Sequence, residues 1–510
     1  MNNASSLLFL VNSLSKAEKR YFQLYTKLQS GSKVYISLFN LIDTSTSSEE
    51  LYTSFCQTHD GRSYEMAVKH LYRTLLDCLI KLRETKNIQT KIFNYISKAA
   101  ILYERDMFDE AFNELDKAKK FATLYENDPL LLLIRRTELK YLGALDFKSV
   151  NEKQLVNKQM KINETLNYSK VLNQHIQLYE ILKHRLIHKG YIRSDKQKED
   201  LNDLVLSELH LVSNTSYHSF EAQKLHLLFQ ATYYLNSGNY KSAIRLYQEI
   251  IQLFGENKHL IQNPPIDYLS AIQGVIGSLQ IIGLYKETLF FLDKLKEIEQ
   301  GDYPTEFILF VKSQHYLYEL NGRLQTGCLE AAAKLKDASE EYLFKKMNLL
   351  SLEQQLRLHL SCVILSMYQK DFSQARKYMK KVFSSGKLFY AQPSYKIIRL
   401  VNLLLQAELG NYDFFENEIN SIKRNIGFEK QVYNTEKLIF KFVQDYPLPS
   451  YENTRNRLWL QYQKESRIIE QDKYERHLLQ IFDVLSWIEH KLTRRPLAEI
   501  LAEKSGLINT

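Results

Sequence analysis

Arg105-Asp-Met-Phe108-Asp-Glu-Ala111, Gly238-Asn-Tyr240-Lys-Ser-Ala243, Gly283-Leu-Tyr285-Lys-Glu-Thr288, Lys370-Asp-Phe372-Ser-Gln-Ala375 and Gly410-Asn-Tyr412-Asp-Phe-Phe415 are five renderings of one phrase. A small or polar pair lets the chain reverse, an aromatic residue soon after wedges into the angle, and a usually small residue three further on lets the next helix sit close. Each phrase reads as a turn between two helices. Their recurrence predicts an all-α solenoid of antiparallel helix hairpins, stacked so that each hides the apolar flank of its neighbour.

Working outward from the turns, Tyr95, Ala99 and Leu102 precede the first at helical spacing, and Phe108, Ala111, Leu115 and Ala118 follow it. Leu227, Ala231 and Tyr234 stand before Gly238, with Tyr240, Ala243, Tyr247 and Ile250 after it. This spacing resembles the tetratricopeptide repeat, in which small residues let paired helices approach while large ones fill the gap. The resemblance implies a right-handed superhelical solenoid. Turn aromatics are 45 residues apart between Tyr240 and Tyr285 and 40 apart between Phe372 and Tyr412, longer than the roughly 34 of the standard motif. Weaker turns at Gly190-Tyr191 and Gly322-Arg-Leu324 would fill the gaps and bring the total to six or seven hairpins. Thr288 and Phe415 replace the usual small residue, which predicts splayed or differently packed junctions there. Pro129, Pro264, Pro265, Pro304 and Pro393 are expected between hairpins, outside their helices.

Residues 1–90 read as a small helical unit ahead of the repeats, residues 91–445 as the repeats themselves, and residues 446–510 as a C-terminal helical cap. In the first, Ser15-Lys-Ala-Glu18 and Ser47-Ser-Glu-Glu50 have capping-box spacing, and Met66, Leu71, Leu75, Leu79 and Leu82 form a stripe on a helix from about Ser63 to Arg83. In the last, one or two long helices over 452–492 carry Trp459, Ile468, Leu478, Ile481, Phe482, Leu485 and Ile488, and a short helix begins at Pro496. Both ends have further counterparts. Ser13-Leu-Ser-Lys-Ala-Glu-Lys-Arg-Tyr-Phe-Gln-Leu-Tyr25 and Asp483-Val-Leu-Ser-Trp-Ile-Glu-His-Lys-Leu-Thr-Arg-Arg-Pro-Leu-Ala-Glu-Ile500 resemble the opening and close of a group of uncharacterised bacterial tetratricopeptide-like proteins. That resemblance carries an architecture and no reaction.

Composition agrees with helices and short turns. Only 16 Gly and 8 Pro occur in 510 residues, and hydrophobic residues at 45% against 25% charged suffice for a large core. The net charge of +9 permits an acidic partner without demanding one, because runs such as Lys117/Lys119/Lys120 and Lys377/Lys380/Lys381 fit solvated helix faces. Cys56, Cys78, Cys328 and Cys362 form no CxxC pair; four buried thiols in a reducing cytoplasm is the reading preferred. The run Leu7 to Val11 lacks the charge and cleavage site of an export signal, and Leu130 to Ile134 is closed off by Arg135 and Arg136, so a cytoplasmic protein without membrane association is expected.

Chemistry is hard to find. His184-Arg-Leu-Ile-His188 puts two imidazoles on one helix face but lacks the Glu of HExxH and a third ligand. Ser384-Ser-Gly-Lys387 lacks the leading glycine and following hydroxyl of a phosphate loop, and Glu340/Glu341 suit a solvated helix start better than an acid/base pair. No enzyme activity, metal or cofactor is expected. The abundant Tyr and Phe, 34 and 26 in number, mostly occupy packing positions. In tetratricopeptide proteins one face of each first helix lines the concave groove. By that resemblance the groove here would hold Tyr103, Glu104, Thr232, Asn236, Gln273, Gln280, Arg357, Tyr368 and Glu408. The function implied is a non-enzymatic scaffold for a protein or peptide. The alternative is a DNA-linked regulator, with Arg62, Lys69, Arg73, Lys81 and Arg83 on a nucleic-acid-binding unit; Asp77 and Glu84 on the same helix and the lack of a helix-turn-helix signature weigh against it.

Overall fold

A computed structural model describes residues 3–27, 34–42, 47–84, 87–148, 150–189, 192, 194–214, 219–261, 264–384, 386–425 and 433–506. Among these the regular elements are helices, and no strand occurs. The Gly190-Tyr191 turn lies outside the described residues. The chain divides into two compact units, residues 1–173 with 303–306, and residues 174–302 with 307–510.

The first unit opens with α1 (Asn3–Ser13), α2 (Lys16–Lys27), α3 (Val34–Ile42), α4 (Ser48–Cys56) and α5 (Tyr64–Glu84), gathered on a core of Leu7, Phe22, Leu38, Leu51, Phe55 and Leu71. The Ser15/Glu18 box is formed in both directions, at 2.8 and 3.2 Å, and the Ser47 hydroxyl accepts from the Glu50 N–H at 3.2 Å. On α5 the buried series is Tyr64, Ala67, Val68, Leu71, Thr74, Leu75 and Cys78. That periodicity leaves Met66 on the outer face, 76% exposed, and removes it from the predicted stripe. Next come α6 (Ile88–Tyr103), α7 (Phe108–Leu124) and α8 (Asp128–Ala144), each packed on the one before, with Ala99, Ala111, Leu115 and Ala118 buried between them. Pro129 does not precede α8 but sits in its first turn, where a missing N–H costs nothing.

The long α9 (Glu152–Lys189) contains the division between the units. Beyond it follow α10 (Asp195–Glu199), α11 (Asn202–Asn214), α12 (Phe220–Asn236), α13 (Tyr240–Glu256), α14 (Ile266–Ile281), α15 (Thr288–Glu299), α16 (Thr305–Gln325), α17 (Leu329–Ala338), α18 (Leu352–Tyr368), α19 (Phe372–Phe383), α20 (Tyr395–Glu408), α21 (Phe415–Asn425) and α22 (Asn434–Gln444). From α12 to α15 and from α17 to α21, each helix packs against its successor in the chain. Contacts also skip one helix, from α12 to α14 and from α18 to α20.

The turns explain this regularity. Asp106, Gly238, Gly283, Lys370 and Gly410 adopt left-handed backbone, with φ between 58° and 80°. In each case the following N–H reaches back five residues, Met107 to Leu102, Asn239 to Tyr234, Leu284 to Leu279, Asp371 to Ser366 and Asn411 to Gln406, at 2.9–3.0 Å. This is the Schellman closure, which satisfies carbonyls the ending helix would otherwise orphan. The same closure occurs at Gly327, not at Gly322, which lies inside α16. Here Cys328 N–H meets Arg323 O at 2.8 Å, Leu329 replaces the aromatic, and Ala332 is the fully buried small residue. Ala243 and Ala375 fill that position in the better copies, while Thr288 and Phe415 are also buried. Thr288 ties its hydroxyl to Tyr285 O at 2.6 Å, and a 3-10 turn over Tyr412–Phe414 precedes Phe415.

The C-terminal segment breaks into α23 (Glu452–Gln471), α24 (Arg476–Ile481), α25 (Val484–Thr493) and α26 (Leu497–Lys504). It shares one core with α16 to α22, through Phe482, Trp487, Ile488 and Leu492. The four cysteines are not all buried: Cys78 and Cys362 are, whereas Cys56 and Cys328 are exposed. Burial pushes the Cys78 thiol up to about 11 and the Cys362 thiol up to about 12, which keeps both protonated and unreactive.

Candidate functional site

Most of the residues assigned to a groove are occupied by helix packing or by the C-terminal segment. Tyr103, at the end of α6, stacks on Tyr141 with ring centroids 3.8 Å apart, and Glu104 beside it is exposed. Thr232 is half-buried, and its backbone oxygen accepts from the buried Asn236 side chain at 2.8 Å. Gln273 and Gln280 face α16: Tyr318 Oη donates to Gln273 O at 3.4 Å, and Gln280 donates to Tyr318 O at 2.8 Å while accepting from Asn321 at 3.0 Å. These polar rungs join the first helices of adjacent hairpins. Tyr368 is 4% exposed, with Phe482 5.6 Å and Trp487 6.1 Å from its ring. Glu408 accepts from Lys491 Nζ at 2.6 Å and from Tyr446 Oη at 2.7 Å. Arg357 is exposed.

From Lys473 to Lys491 the C-terminal segment meets successive hairpin ends from α13 to α20, and Ala498 then returns to the earlier turn at Gly327. Tyr240, which opens α13, donates its hydroxyl to Lys473 O at 2.8 Å, and the Lys473 side chain lies against Gly238. Gln480 donates to Gly277 O at 3.4 Å, and Gln325 donates to the carbonyls of Leu479 and Gln480 at 3.2 and 3.1 Å. Phe482 and Trp487 cover Tyr368; Lys491 then lies 5.2 Å from the Phe372 ring centre and pairs with Glu408. Gly327 packs so closely on the Ala498 carbonyl that a Cβ would stand 2.3 Å from its oxygen. This segment therefore lies across successive hairpin turns, a role that its helical periodicity alone does not distinguish from that of a terminal cap.

A different surface is left open. A cleft of about 460 Å³ lies among α19, the 3-10 turn Gly386–Ala391, α20 and α21. Arg399 and Asn402, both buried, reach it from α20, and Met379 and Phe389 complete its inner wall. Arg399 Nε donates to Glu418 at 2.6 Å, and its Nη1 donates to the Tyr395 hydroxyl. Gln406 donates to Asn402 Oδ1 at 3.1 Å. Phe383, Tyr390 and Phe414 form the outer walls, and Tyr390 is 63% exposed. Phe389 holds three rings about it, with centroids 5.3 Å to Phe383, 5.8 Å to Tyr390 and 5.0 Å to Tyr395. Arg376 and Lys380 stand at the edge and, among the described residues, take part in no ion pair. Nothing in the helical spacing assigns these residues to a site; the basic run on α19 is the available signal.

The remaining candidates for chemistry are sparse. His184 and His188 bring their rings to 4.3 Å on an exposed face of α9. Among the described residues no group of three or more His, Cys, Asp or Glu side chains could hold a metal ion. Arg62, Lys69, Arg73 and Lys81 are exposed in and before α5, with Met66 and Ile80 exposed among them; the side chains of Arg83 and Glu84 lie outside the description. No described helix is long and apolar enough to cross a membrane. In comparisons with known proteins, no family model matches the chain, and neither a curated protein nor a solved structure is significantly similar to it.

Proposed function

We propose that the protein is a non-enzymatic scaffold, a tetratricopeptide-like stack of helix hairpins that holds a protein or peptide partner. The observation carrying this reading is the pattern of contacts in the second unit, where Schellman-closed hairpins pack on their neighbours in the chain and the C-terminal segment reaches several of their turns. A framework tied in this way can keep a broad surface in fixed shape, which lowers the ordering cost of binding. The face expected to form the groove is largely taken up internally, so the partner is assigned to the open surface around α19 to α21.

The test is affinity capture with the full chain as bait in nuclease-treated native lysate, quantified against an unrelated bait. Recovery of one protein at reproducible stoichiometry is the expected result. No protein above the control, or a partner retained only when nucleic acid is left intact, would overturn the scaffold reading, and the second outcome would favour DNA-linked regulation.

A further inference from the structure

We propose that the α19–α21 cleft recognises an acidic peptide segment through one aromatic side chain. This rests on the scaffold reading and names the chemistry of its partner. The charge at the cleft is unevenly matched. Glu418 balances Arg399 inside, whereas Arg376 and Lys380 at the edge are left without a carboxylate among the described residues. The whole of α19, Phe372–Phe383, carries Arg376, Lys377, Lys380 and Lys381 and no acidic residue. Carboxylates of a bound segment would find charge-assisted partners there without competing against an internal one.

The apolar half of the site selects the anchor. Phe383, Tyr390 and Phe414 line a cleft that Met379 and Phe389 also line, and a cavity of this size takes one large side chain with adjoining backbone. Asn402 adds polar specificity. Its oxygen accepts from Gln406, while its nitrogen donates to nothing among the described residues, which leaves that group to donate to a peptide carbonyl. An aromatic anchor flanked by Asp or Glu thus satisfies both halves of the cleft, in the helix- and groove-binding manner where a few anchors give most of the affinity.

The experiment is fluorescence polarisation with the full-length protein and a labelled ten-residue peptide of Asp and Glu around a single central Trp. Matched probes replace the Trp with Ala, or the acids with Lys, and a single-stranded oligonucleotide of equal charge serves as the competing class. Saturable binding of the acidic Trp peptide is expected, weakened about tenfold or more by Arg376→Glu with Lys380→Glu and by Tyr390→Ala, and by loss of the peptide Trp. Lys117→Glu, on an exposed helix face of the first unit, should leave it unchanged. Circular dichroism of each variant checks that the fold survives. The inference is overturned if no acidic peptide binds, if the cleft variants bind as the wild type does, or if the oligonucleotide binds more tightly through the same residues. Native capture of a partner that ignores Arg376→Glu and Lys380→Glu would refute the cleft while leaving the scaffold intact; absence of any partner refutes the scaffold itself.

Discussion

Gly283 and Gly327 hold the same left-handed backbone, at φ 80° and 75°, in equivalent turns, but their surroundings differ. A Cβ at Gly283 meets nothing within 4 Å, whereas at Gly327 it runs into the backbone of Ala498. Gly283→Ala should therefore cost only the backbone strain, about 1 kcal/mol, and Gly327→Ala about 3 kcal/mol or more once the clash is added. Denaturant unfolding of the two variants measures the difference. His359 provides a second prediction. Burial, with Lys381 adding repulsion, pushes its imidazole down to about 4, and its Nδ1 has no hydrogen-bond partner among the described residues. An unfolded chain takes up this proton near pH 6.5, so the unfolded state binds more protons between about 6.5 and 4 and stability falls as pH drops through that window. Relative to His359→Phe, the wild type should lose stability across that range and hold a constant difference above pH 7. A difference that stays level down to pH 4 would show the group to be freely solvated. At this scale the sequence is informative where backbone geometry demands a residue type. Gly238, Gly283 and Gly410 can be read directly, but Gly327 cannot, because Leu329 stands where the other copies have an aromatic and Gly322 reads as the turn instead.

At the scale of elements, the helices and their turns follow from local pattern, and their partners do not. Small residues such as Ala111, Ala243 and Ala375 mark where a hairpin closes, since each sits fully buried one turn into its second helix. No comparable mark in the sequence says that Gln325 will reach the carbonyls of Leu479 and Gln480, more than 150 positions away, or that Lys491 will find Glu408. The apolar stripe of the C-terminal helices fits a cap at one end of a stack equally well. The same limit hides the cleft, because Arg399, Glu418 and Phe389 come together only through the packing of α19 to α21. Trp487 is the side chain on which the C-terminal segment turns most: it is fully buried and touches Tyr368, Phe482 and His490. Trp487→Ala should destabilise the second unit by about 3–5 kcal/mol through the cavity left behind, measured by denaturant unfolding.

For the molecule as a whole, the central claim is that the second unit is a series of hairpins held by their neighbours and tied across their turns by residues 473–498. Such a series stores its stability locally, in each hairpin and each interface, so that loosening the tie need not melt everything at once. An ordinary single core would respond as one body. Peptide-resolved hydrogen exchange on the full chain, comparing wild type with Trp487→Ala, separates the two. Faster exchange should appear first at the hairpin ends near Gly327, Lys370 and Gly410 and along α24 to α26, while the interface between α12 and α13 keeps its protection. Uniform loss of protection throughout residues 220–500, or no change at those turns, would contradict the series of tied hairpins on which the scaffold reading stands.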